Sequence, residues 1–263
     1  MTASAFAELH RGPAPLLLPN AWDRASAALF ADAGFRAVAT TSLGVAAAAG
    51  LPDGAGVTRD ETLRLACVLG GDHRYLLSID AEDGYSDDPA EVAAFCAELA
   101  EAGAAGVNLE DGRPDGTLTD AARHAAKIAA VKAAAPDLFV NARTDTHWLR
   151  TDQYQMPERL RAYRDAGADG VFVPGLGDPK EISALTSAIG LPVNLLYRPG
   201  GPGIAELGEL GVRRVSLGSL PYRVALGAAL EAVAGIREGK PEAGLGALTY
   251  DRVQQLSGGG DAA

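Results

Sequence analysis

Cysteine is almost missing from this chain: two residues in 263, with no CxxC and no nearby His pattern to mark a thiol or zinc site. Cys67 and Cys96 fall in helix-like apolar segments and read as buried small hydrophobes. No apolar run approaches the roughly 18 to 20 residues that span a bilayer, and the start MTASAFAELHRGPAP lacks a basic end followed by an apolar stretch. A cytoplasmic, reduced setting with no membrane partner is expected. Positive charge is also short, 23 Lys and Arg against 34 Asp and Glu, a net charge of -11. Nucleic acid is therefore not an expected partner, because phosphate-backbone binding rests on clustered cations. The lysines Lys127, Lys132, Lys180 and Lys240 all lie away from strand ends, which disfavours Schiff-base chemistry. Of the four histidines, His10 and His73 read as turn residues and His124 as a helix residue, each surface or capping; only His147 lies near a strand end.

What is abundant is punctuation, with 32 Gly and 15 Pro. Short β-branched or Leu-rich runs alternate with Ala-rich helical stretches, the pattern of βα units around a parallel sheet. Strands are predicted to end at Pro19, Ser42, Asp80, Glu110, Arg143, Pro174, Leu196 and Gly218. Helices are predicted over 24–33, 58–70, 89–102, 120–135, 157–166, 179–189, 204–210 and 221–237, several opening on Pro or Asp. The corners DAGFRAV, EAGAAGV, DAGADGV and ELGVRRV each put Gly where a left-handed cap turns a helix into the next strand. Eight such units without a central pause predict a (β/α)8 TIM-type barrel spanning residues 1–263, in preference to a doubly wound sheet. Residues 238–263 are left over as a C-terminal appendage, packing on another subunit or on the barrel bottom, with LSGGGDAA as a frayed tail.

Active groups in such a barrel hang from the C-terminal ends of its strands. Those ends deliver Ser42 with the following Asp53, then Asp80, Glu82 and Asp83, then Glu110 and Asp111, then Asn141, Arg143 and Asp145. Oxygen ligands from neighbouring strands, without His or Cys, fit a hard cation such as Mg2+ or Mn2+ that keeps several waters. Glu82 shares the period of two with Asp80, so it is expected to face inward and Asp83 to serve the loop. Asp87 and Asp88 in YSDDP are expected to cap a turn or helix. Arg143 either binds an anionic substrate bidentately or closes an internal salt bridge to Asp145 or Glu110.

The segments TTSLGVAAAAGLPDG, SIDAEDGYSDDP, GVNLEDG and NARTD occur in this order and spacing. They resemble the successive signature segments of the isocitrate lyase and phosphoenolpyruvate mutase superfamily. That resemblance implies a barrel holding Mg2+ at Asp80, with Asp53, Glu82 and Glu110 acting partly through water. It also implies that Ser42, Leu43 and Gly44 hold a substrate carboxylate and that Arg143 holds the other anionic end. Asp53, Arg143 and Glu110 are the implied catalytic set, Asp80, Glu82 and Glu110 the implied metal set, and Asn194 joins the substrate contacts. The implied assembly is a homo-oligomer, a dimer or tetramer exchanging a C-terminal helix.

Lyases of the superfamily carry Lys-Lys-Cys-Gly-His after the fourth strand, where this chain reads EDGRPDGTLTD and offers no thiol. The phosphonate-active members have Lys, Asn and Ser or Thr in that loop and a His after strand six, where this chain offers Arg113, Thr117 and VFVPG. The resemblance thus implies a Mg2+-dependent carbon–carbon lyase or decarboxylase for a small anionic 2-oxo or 2-hydroxy dicarboxylate, working through a pyruvate-like enolate. Decarboxylation ranks first because it needs an electron sink but no catalytic base. Carbon–phosphorus chemistry on phosphonopyruvate and a non-catalytic 2-oxo acid binding barrel are the alternatives.

Overall fold

The computed structural model describes residues 3–257. Its elements run α1 (Ala3–Leu9), β1 (Leu16–Leu18), β2 (Asn20–Ala21), α2 (Arg24–Asp32), β3 (Ala37–Thr40), α3 (Ser42–Ala49), α4 (Arg59–Leu69), β4 (Leu76–Asp80), α5 (Pro89–Glu101) and β5 (Ala104–Glu110). They continue with α6 (Ala121–Ala134), β6 (Phe139–Arg143), α7 (Met156–Asp165), β7 (Gly170–Phe172), α8 (Pro179–Ile189), β8 (Val193–Leu196), α9 (Ile204–Glu209), β9 (Arg214–Ser216), α10 (Leu220–Arg237) and α11 (Tyr250–Ser257). All strand pairings are parallel, in the order β1-β9-β8-β7-β6-β5-β4-β3-β2. Pro19 has no N–H to give a ladder, so it splits one stave into β1, which pairs with β9, and β2, which pairs with β3. Both cut ends belong to the same stave, and the ring is an eight-stave (β/α)8 barrel.

The pleat sorts side chains into two populations. Leu77 and Ile79 of β4, Val107 and Leu109 of β5, and Val140 and Ala142 of β6 face outward and pack with Phe95, Leu99, Ile128, Val131 and Leu160 of the helices. A fully buried Leu or Phe of this kind contributes about 1.5–3 kcal/mol. Their inward neighbours form layers: Ala37, Ala39, Leu76 and Phe139 near the bottom, then the polar Ser78, Asn108, Asn141, Asn194 and Arg214, all buried. The predicted helix corners hold: Gly34, Gly103, Gly167 and Gly211 have φ of +90°, +103°, +101° and +89°, where a side chain would be strained.

Several sequence expectations need correction. Helix α1 is not foreseen, yet it closes the barrel bottom, with Phe6 fully buried and edge-on to Phe139 at 5.4 Å. Gly106 makes room for it, since a Cβ there would lie 2.8 Å from the Phe6 ring. His10 is buried rather than at a surface turn; its ring stacks on Phe139 at 4.5 Å and its Nδ1 lies 2.9 Å from the Phe6 carbonyl oxygen. His124 is also buried, edge-on to Tyr163 at 4.7 Å between α6 and α7. Cys67 is exposed, because Thr62, Ala66 and Leu69 take the inward face of α4; Cys96 is buried as expected. Helix α11 lies against α2, tied by Arg252 to Asp32 at 2.6 Å, so this part of the appendage sits on the barrel flank. Residues 258–263 of the expected frayed tail lie outside the described residues.

Candidate active site

The strand ends open into a cavity of about 610 Å³ whose lining includes Ser42, Leu43, Asp53, Asp80, Glu110, Arg143 and Asp145. Asp80 closes β4. Its backbone N–H donates to Thr40 Oγ1 at 2.9 Å, and its Oδ2 accepts from the Ser42 N–H at 3.2 Å. Its Oδ1 is buried and has no hydrogen-bond partner. An orphaned carboxylate oxygen costs free energy in such a place unless a cation or water takes it up.

Helix α3 begins on the same rim. The sequence did not reveal it, because SLGVAAAA follows Thr41 without a side-chain cap. The Val45 N–H already donates to the Thr41 carbonyl at 3.0 Å. The Ser42, Leu43 and Gly44 N–H groups therefore fall in the first turn, where intrahelical partners are lacking and negative charge is favoured. Ser42 and Leu43 line the cavity. Gly44 lies tight behind them, where a Cβ would be 2.8 Å from Thr41 and 3.1 Å from Trp22.

Glu110 ends β5 beside Arg143, the end of β6, in a register that aligns the two residues. Arg143 Nη1 meets Glu110 Oε2 at 2.7 Å, while its Nε and Nη2 meet Asp145 Oδ1 and Oδ2 at 2.6 and 3.0 Å. Both internal partners considered for Arg143 are thus engaged at once. Burial pushes the Glu110 carboxyl up, opposed by Arg143 and reinforced by Asp145, Asp80 and Glu82. For Arg143, burial works against the charge, but the carboxylates of Asp145, Glu110 and Asp80 outweigh it and hold the guanidinium protonated. Asp53 reaches the cavity from the α3–α4 loop; burial raises its pKa and Asp80 adds to this, with Ser42 and Arg143 opposing.

Glu82 is buried but stands beside the cavity rather than on its wall. Its Oε1 accepts from the Thr58 hydroxyl and from Tyr85 OH, the latter at 3.2 Å. Burial again raises its pKa, with the charges of Asp80 and Asp53 adding to the shift and the two hydroxyls opposing it. Glu82 and Tyr85 have φ of +49° and +60°, left-handed values that cost a non-glycine residue about 1–2 kcal/mol. Among the described residues no three His, Cys, Asp or Glu side chains converge closely enough to grip an ion together. A hard cation here would have to keep most of its water and rest on Asp80, with the surrounding carboxylates reaching it through that water.

Neighbouring candidates do other work. Asp83 serves its loop, accepting from the Tyr85 N–H at 2.9 Å. Asp88 caps α5, whereas Asp87 does not cap but binds Arg113 at 3.0 and 3.1 Å, fastening the loop after β5. Asp111, just past β5, is not part of the cavity lining and meets α7 instead, accepting from Arg159 Nη1 and Tyr163 OH. His147 also turns aside, its Nε2 3.1 Å from Glu181 on α8. Asn194 sits below the cavity wall, donating to Ser216 Oγ at 3.0 Å. Asn141 donates to Asn108 at 2.8 Å in the same layer. The sequence reading missed Arg198, Arg223 and Tyr197, all lining the cavity. It also missed Arg214, fully buried beneath it, whose Nη2 donates to Asn108 Oδ1 at 3.1 Å. Burial lowers the Arg214 pKa to about 9, with the Asp80 charge opposing.

Known proteins resemble this chain in sequence and in fold. Residues 6–237 match the model of the family described as phosphoenolpyruvate phosphomutase. The chain is 47% identical, over 90% of both chains, to an uncharacterized protein of Mycobacterium tuberculosis strain H37Rv. It is 31% identical to the oxaloacetate decarboxylase of Pseudomonas aeruginosa strain UCBPP-PA14, over 79% of this chain and 75% of that one. Among solved structures, a Burkholderia cenocepacia J2315 protein provisionally described as a phosphonomutase superposes with a TM-score of 0.83 at 42% identity, covering 89% of this chain and 99% of that chain. A phosphonopyruvate hydrolase bound to oxalate and Mg2+ shares the fold, with a TM-score of 0.85 at 23% identity over 98% of this chain and 95% of the other.

Proposed function

The chain belongs to the phosphoenolpyruvate phosphomutase family, and from that membership we propose a Mg2+-dependent lyase that cleaves or decarboxylates a small 2-oxo or 2-hydroxy dicarboxylate through a pyruvate-like enolate. Relatives with named activities are enzymes, oxaloacetate decarboxylase and 2-methylisocitrate lyase among them. The observation that carries the proposal is the unpartnered Asp80 Oδ1 at a cavity that Asp53 and Glu110 also line. Mg2+, or Mn2+ in its place, would be held by Asp80, with Asp53, Glu82 and Glu110 reaching it through water. When bound it supplies a Lewis acid for the 2-oxo and carboxylate oxygens.

The protein's own groups do the rest. The Leu43 and Gly44 N–H groups in the first turn of α3 and the Ser42 hydroxyl orient the substrate carboxylate, and their fixed dipoles need no reorganisation as charge develops. Arg143 keeps its positive charge throughout and holds Glu110 in one position. The cavity wall offers no His and no Cys among the described residues. This arrangement favours decarboxylation: the C–C bonding pair stays with the enolate, CO2 leaves, and water returns the proton.

The test is turnover of oxaloacetate and of branched 2-hydroxy diacids with the metal varied. Asp80→Ala should abolish both activity and metal dependence, and unchanged turnover would remove Asp80 as the principal ligand. Phosphate release from phosphonopyruvate would favour carbon–phosphorus chemistry, while 2-oxo acid binding without turnover would favour a binding barrel.

Assembly as a homo-oligomer is part of the same reading. Helix α10 leaves Val224, Leu226, Leu230, Val233 and Ile236 exposed at 54–70% of their surface, and a second copy of the chain is the proposed cover. Light scattering after chromatography on the protein and on Leu230→Glu measures this directly; a monomer in both cases would refute it.

A further inference from the structure

Two asparagines line the cavity, and their amides are spent differently. Asn20 uses both ends: Nδ2 donates to the Thr40 carbonyl at 2.6 Å, and Oδ1 accepts from the Leu217 and Gly218 N–H groups at 3.0 and 2.8 Å. Asn108 uses one. Its Oδ1 accepts from Asn141 Nδ2 at 2.8 Å and from Arg214 Nη2 at 3.1 Å, both in the polar layer below the cavity. Its Nδ2 meets no protein acceptor among the described residues, yet it is not sealed in as Asp80 Oδ1 and Arg214 Nη1 are. It opens on the cavity that Asn108 lines. Arg214 decides which end of the amide does so. Two facing amides hydrogen-bond equally well in either direction, so Asn108 and Asn141 alone could pair either way round. A guanidinium has donors only, so the atom it meets must be the oxygen. Asn141 must then give its own Nδ2, which leaves Asn108 Nδ2 for the cavity. The strand register sets Asn108 beside Asp80, one inward step below Glu110. The hydrogen-bond partners of Arg214 among the described residues, Ser216, Ser78 and Asn108, are all neutral, so no ion pair accounts for a guanidinium buried there.

We propose that Asn108 contacts the substrate, its Nδ2 donating to an oxygen of the bound acid on which negative charge develops, and that Arg214 is the positioning residue that keeps this donor turned to the cavity. This rests on the reading of the reacting end given above and adds to the N–H groups at the rim a side-chain donor from the barrel floor. The Arg214 charge polarises the Asn108 amide through the bond they share and strengthens its N–H as a donor. A donor fixed before the charge appears stabilises it without reorganisation. An asparagine that served packing alone would spend both ends on protein partners, as Asn20 does, and would be indifferent to what enters the cavity.

The experiment adds oxalate, a planar dianion with the oxygen pair of an enolate, to the full chain in saturating Mg2+. The chain has four asparagines, so isotope labelling of asparagine nitrogen gives four side-chain amide signals by NMR, and the signal lost in Asn108→Asp or Asn108→Ser is that of Asn108. Oxalate should move this signal downfield in the native protein. Calorimetry on Asn108→Asp should show oxalate binding weakened about tenfold or more, the order of one charged hydrogen bond. Its melting temperature should hold or rise, because the new carboxylate still accepts from Asn141 and Arg214. Arg214→Met leaves Asn141 on Asn108 and Asn194 on Ser216, so its melting temperature should not fall. The Asn108 amide is then free to reverse: its signal should move without ligand, and oxalate should bind about threefold or more weakly. A purely structural arginine would give the opposite, a lower melting temperature with oxalate affinity unchanged. An Asn108 signal unmoved by saturating oxalate overturns the donor, and so does native affinity in Asn108→Asp; the native spectrum decides even where a variant folds poorly. No binding of oxalate to the native protein would remove the reading of the reacting end and this donor with it, whereas binding that Asn108→Asp leaves intact would remove the donor alone.

Discussion

Asp111 follows Glu110 in the chain but answers to a different surface. Its side chain is fully buried and accepts from Thr144 Oγ1 at 2.9 Å, the Asp145 N–H at 2.8 Å, Arg159 Nη1 at 3.2 Å and Tyr163 OH at 2.6 Å. Asp111→Ala removes the common acceptor and leaves the largely buried Arg159 with neutral partners only, the Thr119 carbonyl at 2.8 Å and, at 3.3 Å each, Gln155 Oε1 and Tyr163 OH. Removing one member of a buried ion pair costs about 3–5 kcal/mol. At about 2–4 °C per kcal/mol for a chain of this size, Tm should fall by roughly 6–20 °C. Activity should fall as well, because the Asp145 N–H held by Asp111 positions the carboxylate that clamps Arg143. Urea and thermal melts measure the loss. Asp111→Leu combined with Arg159→Met should recover much of it, since no charge is then stranded. A loss below about 1 kcal/mol for Asp111→Ala would refute the assignment of Asp111 as the anchor.

Burial, with the Lys127 charge adding, lowers the His124 pKa to about 3. A neutral buried His stabilises fully above the unfolded pKa near 6.5 and loses that stability as pH falls toward 3, at about 1.4 kcal/mol per unit. The difference in stability between the native protein and His124→Phe should therefore change with that slope below pH 6 in melts taken across pH; a flat difference would show His124 already protonated. A Cβ at Gly70 would lie 1.7 Å from the Ala102 carbonyl oxygen, a clash with backbone at the close approach of two helix ends. Gly70→Ala should cost about 3 kcal/mol or more, seen in melting and soluble yield. Glu82→Gln keeps the volume and most of the hydrogen bonding but removes a charge that burial and Asp80 make costly at neutral pH. It should raise the melting temperature of the metal-free protein and shrink the stabilisation by Mg2+; the opposite pair of changes would refute a cation beside Asp80.

The architecture was legible because local signals agreed. Pro89, Pro179 and the Gly corners place helix ends within about a residue of their positions in the structure. Helix α1 was hidden because seven residues with an Ala-rich pattern owe their helicity to docking under the barrel. Strand-end carboxylates exposed the acidic wall, since Asp80 and Glu110 each follow an apolar run. The cavity-lining arginines gave no comparable sign: Arg198 lies in a Gly- and Pro-rich connection, and Arg223 in the opening of a helix. In RRVS, Arg213 and Arg214 are indistinguishable by type. Only the register of β9 with β1 and β8 turns Arg214 inward.

Glu82 shows why strand periodicity alone does not account for this rim. Strand β4 ends at Asp80, and the chain then turns, with the Gly84 N–H donating to the Ala81 carbonyl at 2.9 Å. The left-handed backbone of Glu82, rather than the pleat, sets the direction of its carboxylate. That conformation is secured from outside the segment: the Glu110 N–H donates to the Glu82 carbonyl at 2.8 Å, and Thr58 and Tyr85 hold the side chain. A carboxylate kept in a strained turn, desolvated and beside like charge is unfavourable three times over in the empty protein. Neutralisation by the proposed cation would relieve the charge repulsion, so the same arrangement that burdens the metal-free fold would give that ion its differential affinity for the folded state.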